Sequence, residues 1–153
     1  MNTQDFWQQF RNEHPGVDDQ SFQVWHFGNS AKLADELADL VMTGKKTATA
    51  SLPWEYDARP DQMPMVGTYS VVTSIDDEPR CVVRTTEVRI IPYNEVDAEF
   101  AFEEGEGDQS LAYWRGVHWD YFNTQCLESG RVPDETMPVV CERFELVYPK
   151  SAN

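Results

Sequence analysis

The sequence predicts an α+β fold, a small and mostly antiparallel β-barrel with helices packed against it. Three stretches rich in β-branched and aromatic residues, VGTYSVVT, RCVVRTTEVRII and PVVCERFELVY, are typical of strands. Strands outnumber helices and do not alternate with them regularly, which disfavours a doubly wound parallel sheet. The chain of 153 residues has the length of one ordinary domain. We therefore expect a single domain over residues 1–153.

The first 23 residues predict a helix and a loop that dock on this domain. Phe6, Trp7 and Phe10 recur at helical spacing in TQDFWQQFRNE, behind Thr3 as a cap. A polar loop, HPGVDDQS, follows this helix. The alternating stretch FQVWHFG after the loop predicts a short strand or extended segment.

The clearest helix lies in NSAKLADELADLVMTG. Asn29 or Ser30 can cap its start, and Gly44 supplies a left-handed stop. Its apolar stripe consists of Leu33, Leu37, Leu40 and Val41. Lys45 and Lys46 follow the stop, where the helix dipole favours cations whether or not they have a function.

An acidic stretch, EVDAEFAFEEGEGDQ, precedes the last helix. That helix, SLAYWRGVHWDYF, carries an apolar stripe of Leu111, Trp114, His118 and Phe122. The position of His118 on this stripe indicates packing rather than catalysis. We expect a solvated face for the acidic run Glu103, Glu104 and Glu106. Together with Asp108, the same run also offers hard oxygen ligands to magnesium or manganese.

The composition limits the partners of the chain. Twenty-seven acidic residues against twelve basic ones give a formal net charge of −15. This charge repels polyanions, so we expect no duplex DNA, and nucleic-acid contacts must be local, small or metal-assisted. The three cysteines form no metal-binding pattern, which argues against a zinc site. The sequence shows neither a signal peptide nor a membrane-length apolar run, so we expect a cytoplasmic protein without membrane contact.

Several separated motifs agree in order and spacing with one known family. An amphipathic helix ends at a glycine, GKKTAT enters a strand, and RCVVRTTEV lies in a central strand. The acidic EEGEGD loop starts a helix, and VVCERFELVYP forms the final strand. Over roughly residues 24 to 149 this order resembles the ASCH family, especially its longer bacterial members. The resemblance implies a fold similar to the PUA barrel of RNA-modification enzymes.

The signature of that family is a glycine, any residue, a lysine, four further residues and an arginine. Gly44 and Lys46 match its first two marked positions, but Ser51 stands where the arginine is expected. The difference removes a guanidinium that could clamp a phosphate or a carbonyl group.

The resemblance also implies a reaction. Some small family members are amidohydrolases that act on cytidine acylated at its exocyclic amine, using a lysine, a threonine and a glutamate. Carried over by position, the lysine is Lys46 and the threonine is Thr49. The carboxylate falls within residues 106–108, with Asp108 nearer by alignment than Glu106. The leading hypothesis is a hydrolase that uses these four residues on a nucleoside or short single-stranded RNA, with no cofactor.

Two other functions stay open at this point. The family includes proteins reported as metal-dependent ribonucleases, for which a divalent magnesium or manganese ion would be needed. It also includes domains thought only to bind RNA. The simplest reading of Lys45 and Lys46, without any of these functions, is a helix cap.

Further residues are candidates for substrate binding. Lys45 supplies positive charge beside Lys46, and Ser51 occupies the position of the signature arginine. Trp54 and Tyr56 follow the same strand and can stack on a base. Arg84 on a later strand is a further candidate, and one of Arg84, Arg89 and Arg143 is expected to replace the missing arginine.

Overall fold

A computed structural model describes residues 1–150 of the protein, which contain four α-helices and five β-strands. The helices are α1 (Thr3–Glu13), α2 (Ala31–Met42), α3 (Ala98–Glu104) and α4 (Leu111–Glu128). The strands are β1 (Gln23–Trp25), β2 (Ala48–Ser51), β3 (Tyr69–Thr73), β4 (Pro79–Pro92) and β5 (Pro138–Tyr148). The last three residues of the predicted domain, 151–153, lie outside the described residues.

The five strands form one sheet in the order β1-β3-β4-β5-β2. β1 pairs with β3 in parallel, and the other three ladders are antiparallel. The predicted α+β class is therefore confirmed. Within residues 1–150 no ladder joins the edge strands β1 and β2, so the sheet is open and closure into a barrel is not confirmed.

Helices cover the sheet because alternate strand residues present apolar side chains to both of its faces. The largest buried cluster joins Ala48 and Cys141 to Trp114 and Phe122 of α4. A second cluster joins Phe144 of β5 to residues of α2 that include Leu37, Ala38 and Val41. Residues of both edge strands, β1 and β2, line the cleft described below.

Helix α1 packs on the sheet with two aromatic side chains. Trp7 and Phe10 are buried against Val71 of β3 and Val82 of β4. The cap of this helix is the side chain of Asn2, which accepts a hydrogen bond from the Asp5 backbone, rather than Thr3. Thr3 is instead the first helical residue.

Two elements differ from the sequence prediction. The acidic stretch before α4 contains a further helix, α3, which Asp97 caps by accepting a hydrogen bond from Phe100 N. α4 also continues six residues beyond Phe122, to Glu128. In the described residues, no helix combines the length and the low polarity that a membrane crossing requires.

Candidate active site

The turn between α2 and β2 separates the two lysines. Gly44 has φ +82°, and the backbone N–H groups of Lys45 and Lys46 both donate to the carbonyl of Leu40, at 2.9 and 3.0 Å. The helix end is therefore capped by backbone groups, and the lysine side chains are not needed for it. The Lys45 side chain is exposed, whereas Lys46 is only 1% exposed.

The C-terminal end of α3 docks on this turn. Thr47 N donates to the carbonyl of Glu103 at 2.8 Å. Gly105, with φ +74°, reverses the chain just after the helix, and a Cβ atom there would lie 2.5 Å from the Lys45 carbonyl oxygen. Only glycine permits this close approach of two backbones. As a result, the carboxylates of Glu104 and Glu106 both reach Lys46.

The Lys46 ammonium lies at the buried end of the cleft. Its Nζ atom donates to Glu106 Oε2 at 2.8 Å and to the Glu104 backbone carbonyl at 3.3 Å. The Glu104 side chain follows at 3.7 Å, through Oε1. The ring of Phe27 lies 5.3 Å from Nζ, within the range of a cation–π contact. Lys46 is thus a buried, paired charge and not a solvated cap.

Glu104 anchors a second set of contacts behind Lys46. Its Oε2 atom accepts hydrogen bonds from Trp114 Nε1 at 2.6 Å and from His118 Nε2 at 2.8 Å. Burial raises the pKa of Glu104, but the charges of Lys46 and His118 and these hydrogen bonds outweigh it and lower the pKa to about 2. Glu104 is therefore an ionised carboxylate inside the protein.

His118 completes this buried network. Its Nδ1 atom lies 2.9 Å from the Trp114 carbonyl, which can only accept, so Nδ1 carries a proton. Nε2 faces the ionised Glu104. Burial lowers the pKa of His118, but the charge and the hydrogen bond of Glu104 outweigh it and raise the pKa overall. This arrangement favours an imidazolium that is paired with Glu104.

A cleft of about 680 Å³ opens from Lys46 to the surface. Thr49 and Ser51 of β2 line it, together with Tyr56 from the short 3-10 helix that follows. The Tyr56 hydroxyl donates to Ser51 Oγ at 2.7 Å. Burial raises the pKa of Tyr56 to about 12, although the hydrogen bond to Ser51 acts in the opposite direction. Trp25 and Phe27 form an aromatic part of the wall.

Two other carboxyl groups on the cleft wall are held by hydrogen bonds. Glu55 accepts from Leu52 N at 2.6 Å with one oxygen and from the Tyr121 hydroxyl at 2.9 Å with the other. Glu142 accepts from Thr85 Oγ1 at 2.7 Å through Oε2. Burial is the main cause of a raised pKa at both glutamates. The cleft therefore contains carboxyl groups with opposite pKa shifts, because Glu104 has a lowered pKa.

Acidic residues outnumber basic ones in the cleft. Six carboxylate residues line it, namely Glu55, Glu104, Glu106, Asp120, Glu128 and Glu142. In the part of the chain that the structure describes, Lys46 is the only lysine or arginine among the lining residues. Such a surface attracts a long phosphate backbone poorly.

One group of residues has the composition of a cation site. Glu104, Glu106 and His118 each offer a ligand atom, and these atoms lie within 4.8 Å of one another. The Lys46 ammonium already contacts Glu106, and His118 Nε2 already contacts Glu104 Oε2. A divalent ion could bind all three residues only after these contacts are broken.

The structure brings several predicted site residues together. Lys46, Thr49, Glu106, Ser51 and Tyr56 all line the same cleft. Lys46 precedes the start of β2 at Ala48, so it lies in the turn and not on the strand. This position allows its side chain and that of Thr49 to face one space although they are three residues apart.

Other predicted site residues lie elsewhere. Asp108 is exposed and accepts from Ser110 N at 2.9 Å. Hydrogen bonds with the side chain and then the backbone of Ser110 lower the pKa of Asp108. Glu106, rather than Asp108, contacts Lys46. Lys45 is exposed outside the cleft, and Arg84 pairs with Glu145 at 3.8 Å elsewhere on the sheet. The Trp54 ring packs against the largest core cluster and beneath the guanidinium of Arg131, at 4.7 Å, so it does not line the cleft.

Sequence reasoning missed three functional candidates. Glu104 was expected on a solvated face but is 1% exposed. His118 is packed, as predicted, yet it also lines the cleft and contacts Glu104. Glu142 is buried in the middle of β5. A glutamate between valines and aromatic residues in VVCERFELVY was the available signal for the last of these.

Fold and cleft together define a small α+β domain with a buried lysine–carboxylate site. The sequence model described as ASCH domain matches residues 23–148, and the chain belongs to the ASCH domain family. No curated protein matches the chain at a significant level.

Solved structures agree with this assignment. The ASCH domain from Lactobacillus crispatus JV V101 is 36% identical, with a TM-score of 0.85, and the match covers 95% of this chain and 93% of that one. Protein EF3133 from Enterococcus faecalis V583 is 33% identical, with a TM-score of 0.84 and coverage of 96% and 90%. The hypothetical protein PH0355 shares the fold at 17% identity and a TM-score of 0.54, covering 81% and 99%.

Proposed function

We propose that the protein is a hydrolase that cleaves the amide of an acylated cytidine nucleoside. The observation that carries the proposal is the ion pair of the buried Lys46 with the partly buried Glu106, in a cleft that Thr49 also lines. These residue types correspond to the lysine, threonine and carboxylate of the amidohydrolases that the sequence resembles. Cleaving an amide needs a nucleophile and a group that stabilises the oxyanion, and Thr49 and Lys46 can supply them.

The contacts of Lys46 suggest its role. The ammonium already donates to Glu106 and to the Glu104 carbonyl, so the carboxylate fixes its position. We assign Lys46 to stabilising the oxyanion that forms when the Thr49 hydroxyl attacks the acyl carbon. Glu106 is assigned to holding the ammonium in place. An ammonium in a partly dehydrated cleft stabilises a developing negative charge more strongly than it does in water.

The dimensions and charge of the cleft favour a small neutral substrate. A volume of about 680 Å³ is in the range of pockets that enclose small ligands. Six carboxylate residues and a net charge of −15 disfavour polyphosphates and long RNA. An acylated nucleoside carries no phosphate, and the aromatic wall can contact its base.

One observation favours a second function, a metal-dependent ribonuclease. Glu104, Glu106 and His118 form a group with the spacing of a cation site. In that reaction a magnesium or manganese ion would activate the nucleophile, and Thr49 would not react. The existing contacts of this group with Lys46 and within itself make the ribonuclease the weaker candidate.

The two functions are separated by Thr49→Val, which keeps the shape of the side chain and removes the hydroxyl. We expect the variant to lose acetylcytidine hydrolysis by orders of magnitude, while EDTA leaves the parent protein fully active. Thr47→Val is the matched control, because the Thr47 hydroxyl faces the Glu103 carbonyl at 3.4 Å. It should retain activity.

Labelled single-stranded RNA is assayed in parallel, with and without EDTA. RNA cleavage that EDTA abolishes and Thr49→Val leaves intact would replace the amidohydrolase by the ribonuclease. RNA binding without either reaction would leave only a binding module.

A further inference from the structure

Glu142 lies directly across the sheet from the proposed nucleophile. In the antiparallel ladder of β2 and β5, Thr49 is the partner of Glu142. Paired residues of such a ladder share one face, with Cβ atoms about 4.5–5.5 Å apart. The neighbouring pairs, Ala48 with Arg143 and Ala50 with Cys141, point to the opposite face. Both Thr49 and Glu142 line the cleft.

One oxygen of the Glu142 carboxyl group accepts a hydrogen bond that orients the side chain, and the other oxygen has no donor in the described part of the protein. Thr85 Oγ1 donates to its Oε2 atom at 2.7 Å. Among residues 1–150, no group donates to Oε1, and this atom is not closed off from the cleft. The residue as a whole is only 6% exposed. The Glu142 carboxyl group therefore has one oxygen without a donor among the described residues, on a side chain that lines the same cleft as Thr49.

Three other carboxylates of the cleft have protein partners, although Glu104 Oε1 accepts no hydrogen bond from the residues that the structure describes. Both oxygens of Glu55 accept hydrogen bonds from the protein. Glu106 is bound to Lys46, and Glu104 is bound to His118 and Trp114. What distinguishes Glu142 is its place as the ladder partner of Thr49, together with an oxygen to which no described protein group donates.

We propose that Glu142 is the proton-transfer residue of the site, which accepts the proton of the Thr49 hydroxyl and passes it to the leaving amine. This inference rests on the proposed amide hydrolysis. It adds a fourth group to Lys46, Thr49 and Glu106. In this scheme Glu142, and not Lys46, removes the proton of the Thr49 hydroxyl.

The proposed steps balance. The Thr49 oxygen bonds to the acyl carbon while its proton moves to the Glu142 carboxylate. The carbon–nitrogen bond then breaks, and the proton goes from Glu142 to the exocyclic nitrogen, which releases cytidine. Water next attacks the acyl-threonine ester and gives its proton to Glu142. The carbon–oxygen bond to Thr49 then breaks, and Glu142 returns the proton to the Thr49 oxygen. The products are a carboxylic acid and the restored threonine hydroxyl.

The burial of Glu142 suits this role. Burial raises its pKa above the ordinary value of 4.5, and the hydrogen bond from Thr85 and the charge of Lys46 offset this only in part. A base whose pKa lies nearer to neutrality transfers protons more effectively. The ionisable groups that share the cleft with Glu142 are His26, Lys46, Glu55, Tyr56, Glu104, Glu106, His118, Asp120, Tyr121 and Glu128.

The test is Glu142→Gln, which keeps the side-chain shape and can still accept from Thr85. We expect the kcat for acetylcytidine to fall at least about 100-fold, as when a general base is lost. The pH–rate profile should also lose the limb that rises above pH 4.5 in the parent protein. Glu142→Asp retains a carboxylate and should restore part of the rate. Thermal melting shows whether each variant is folded.

Glu145→Gln is the matched control, with the same substitution on the same strand. Glu145 is 56% exposed and pairs with Arg84 away from the cleft, so the variant should keep the parental rate and profile. A parent protein that hydrolyses acetylcytidine, with Glu142→Gln equally active, overturns the role of Glu142 and leaves the proposed function standing. A parent protein without this activity overturns both.

Discussion

Glu104→Gln tests whether the buried charge network holds the site together. The substitution keeps the size of the side chain and removes one negative charge. In the protein, a single oxygen, Oε2, accepts from both Trp114 Nε1 and His118 Nε2. An amide nitrogen in that place would face the Trp114 N–H group, and an amide oxygen would leave a charged His118 without a carboxylate. Neither orientation of the glutamine satisfies both neighbours.

The expected loss of stability is large. Removing one partner from a buried ion pair costs about 3–5 kcal/mol, since the remaining charges stay buried without compensation. Here His118 is 9% exposed and loses its carboxylate partner at 2.8 Å, whereas Lys46 keeps its contact with Glu106. A domain of this size has a total stability of about 5–15 kcal/mol. The variant should therefore lose a substantial share of its free energy of unfolding.

Urea unfolding at pH 7, followed by far-UV circular dichroism, measures this loss. Glu99→Gln is the control on the same helix, because Glu99 is exposed in the first turn of α3. Glu99→Gln should lower the free energy of unfolding by at most about 1 kcal/mol, which is what a carboxylate near a helix N-terminus contributes. A loss below about 1 kcal/mol for Glu104→Gln would show that the network does not stabilise the fold, contrary to the value expected for a buried pair.

Three further predictions use other contacts of the site. Gly105→Ala should lower the melting temperature far more than Gly44→Ala: both glycines have positive φ, but only a Cβ at 105 meets backbone, 2.5 Å from Lys45 O. Equal effects would refute the close approach. Lys46→Met should abolish acetylcytidine hydrolysis while Lys45→Met, at the exposed neighbour, retains it; similar activity of both variants would remove Lys46 from the mechanism. The pKa of His118 is raised above 6.5 in the folded protein. Protonated His118 therefore stabilises the fold fully below pH 6.5, and this contribution is lost as the pH rises through the folded-state pKa. Urea unfolding between pH 6.5 and about 8, before thiols titrate, should show this decline, and His118→Gln should flatten it.

Local patterns predicted most of the elements. The stripe of α2 and the stop at Gly44 follow from helical spacing and from the freedom of glycine at positive φ, and the structure has both. The β-branched runs become β3, β4 and β5. Such signals depend on residues that are close in sequence, so they can be recognised without knowledge of the fold.

The α3 helix was missed because its pattern is short and its polar residues are acidic. Only seven residues are helical, and two of the three buried ones are Phe100 and Ala101. The third is Glu104, and a carboxylate is rarely buried unless it is paired. Its partners come from positions 46, 114 and 118, which no local pattern connects to it.

The candidate site was predicted in part for the same reason. The order of motifs pointed to Lys46, Thr49 and the segment 106–108. The choice between Glu106 and Asp108 depends on the chain reversal at Gly105, which aims Glu106 at Lys46 and leaves Asp108 in a turn with Ser110. Nor does sequence spacing show that Thr49 and Glu142 are partners, because they are brought together only by the register of β2 and β5.

The excess of carboxylates around Lys46 also bears on how a product leaves. Under the proposed amide hydrolysis, a neutral acylated nucleoside would be converted into a carboxylic acid that ionises at neutral pH. The new anion would lie among six acidic residues, with Lys46 and His118 already paired with glutamates. Repulsion between like charges would then drive that anion outward. The charge that restricts what the cleft binds would thereby favour release of the acid and oppose inhibition by it.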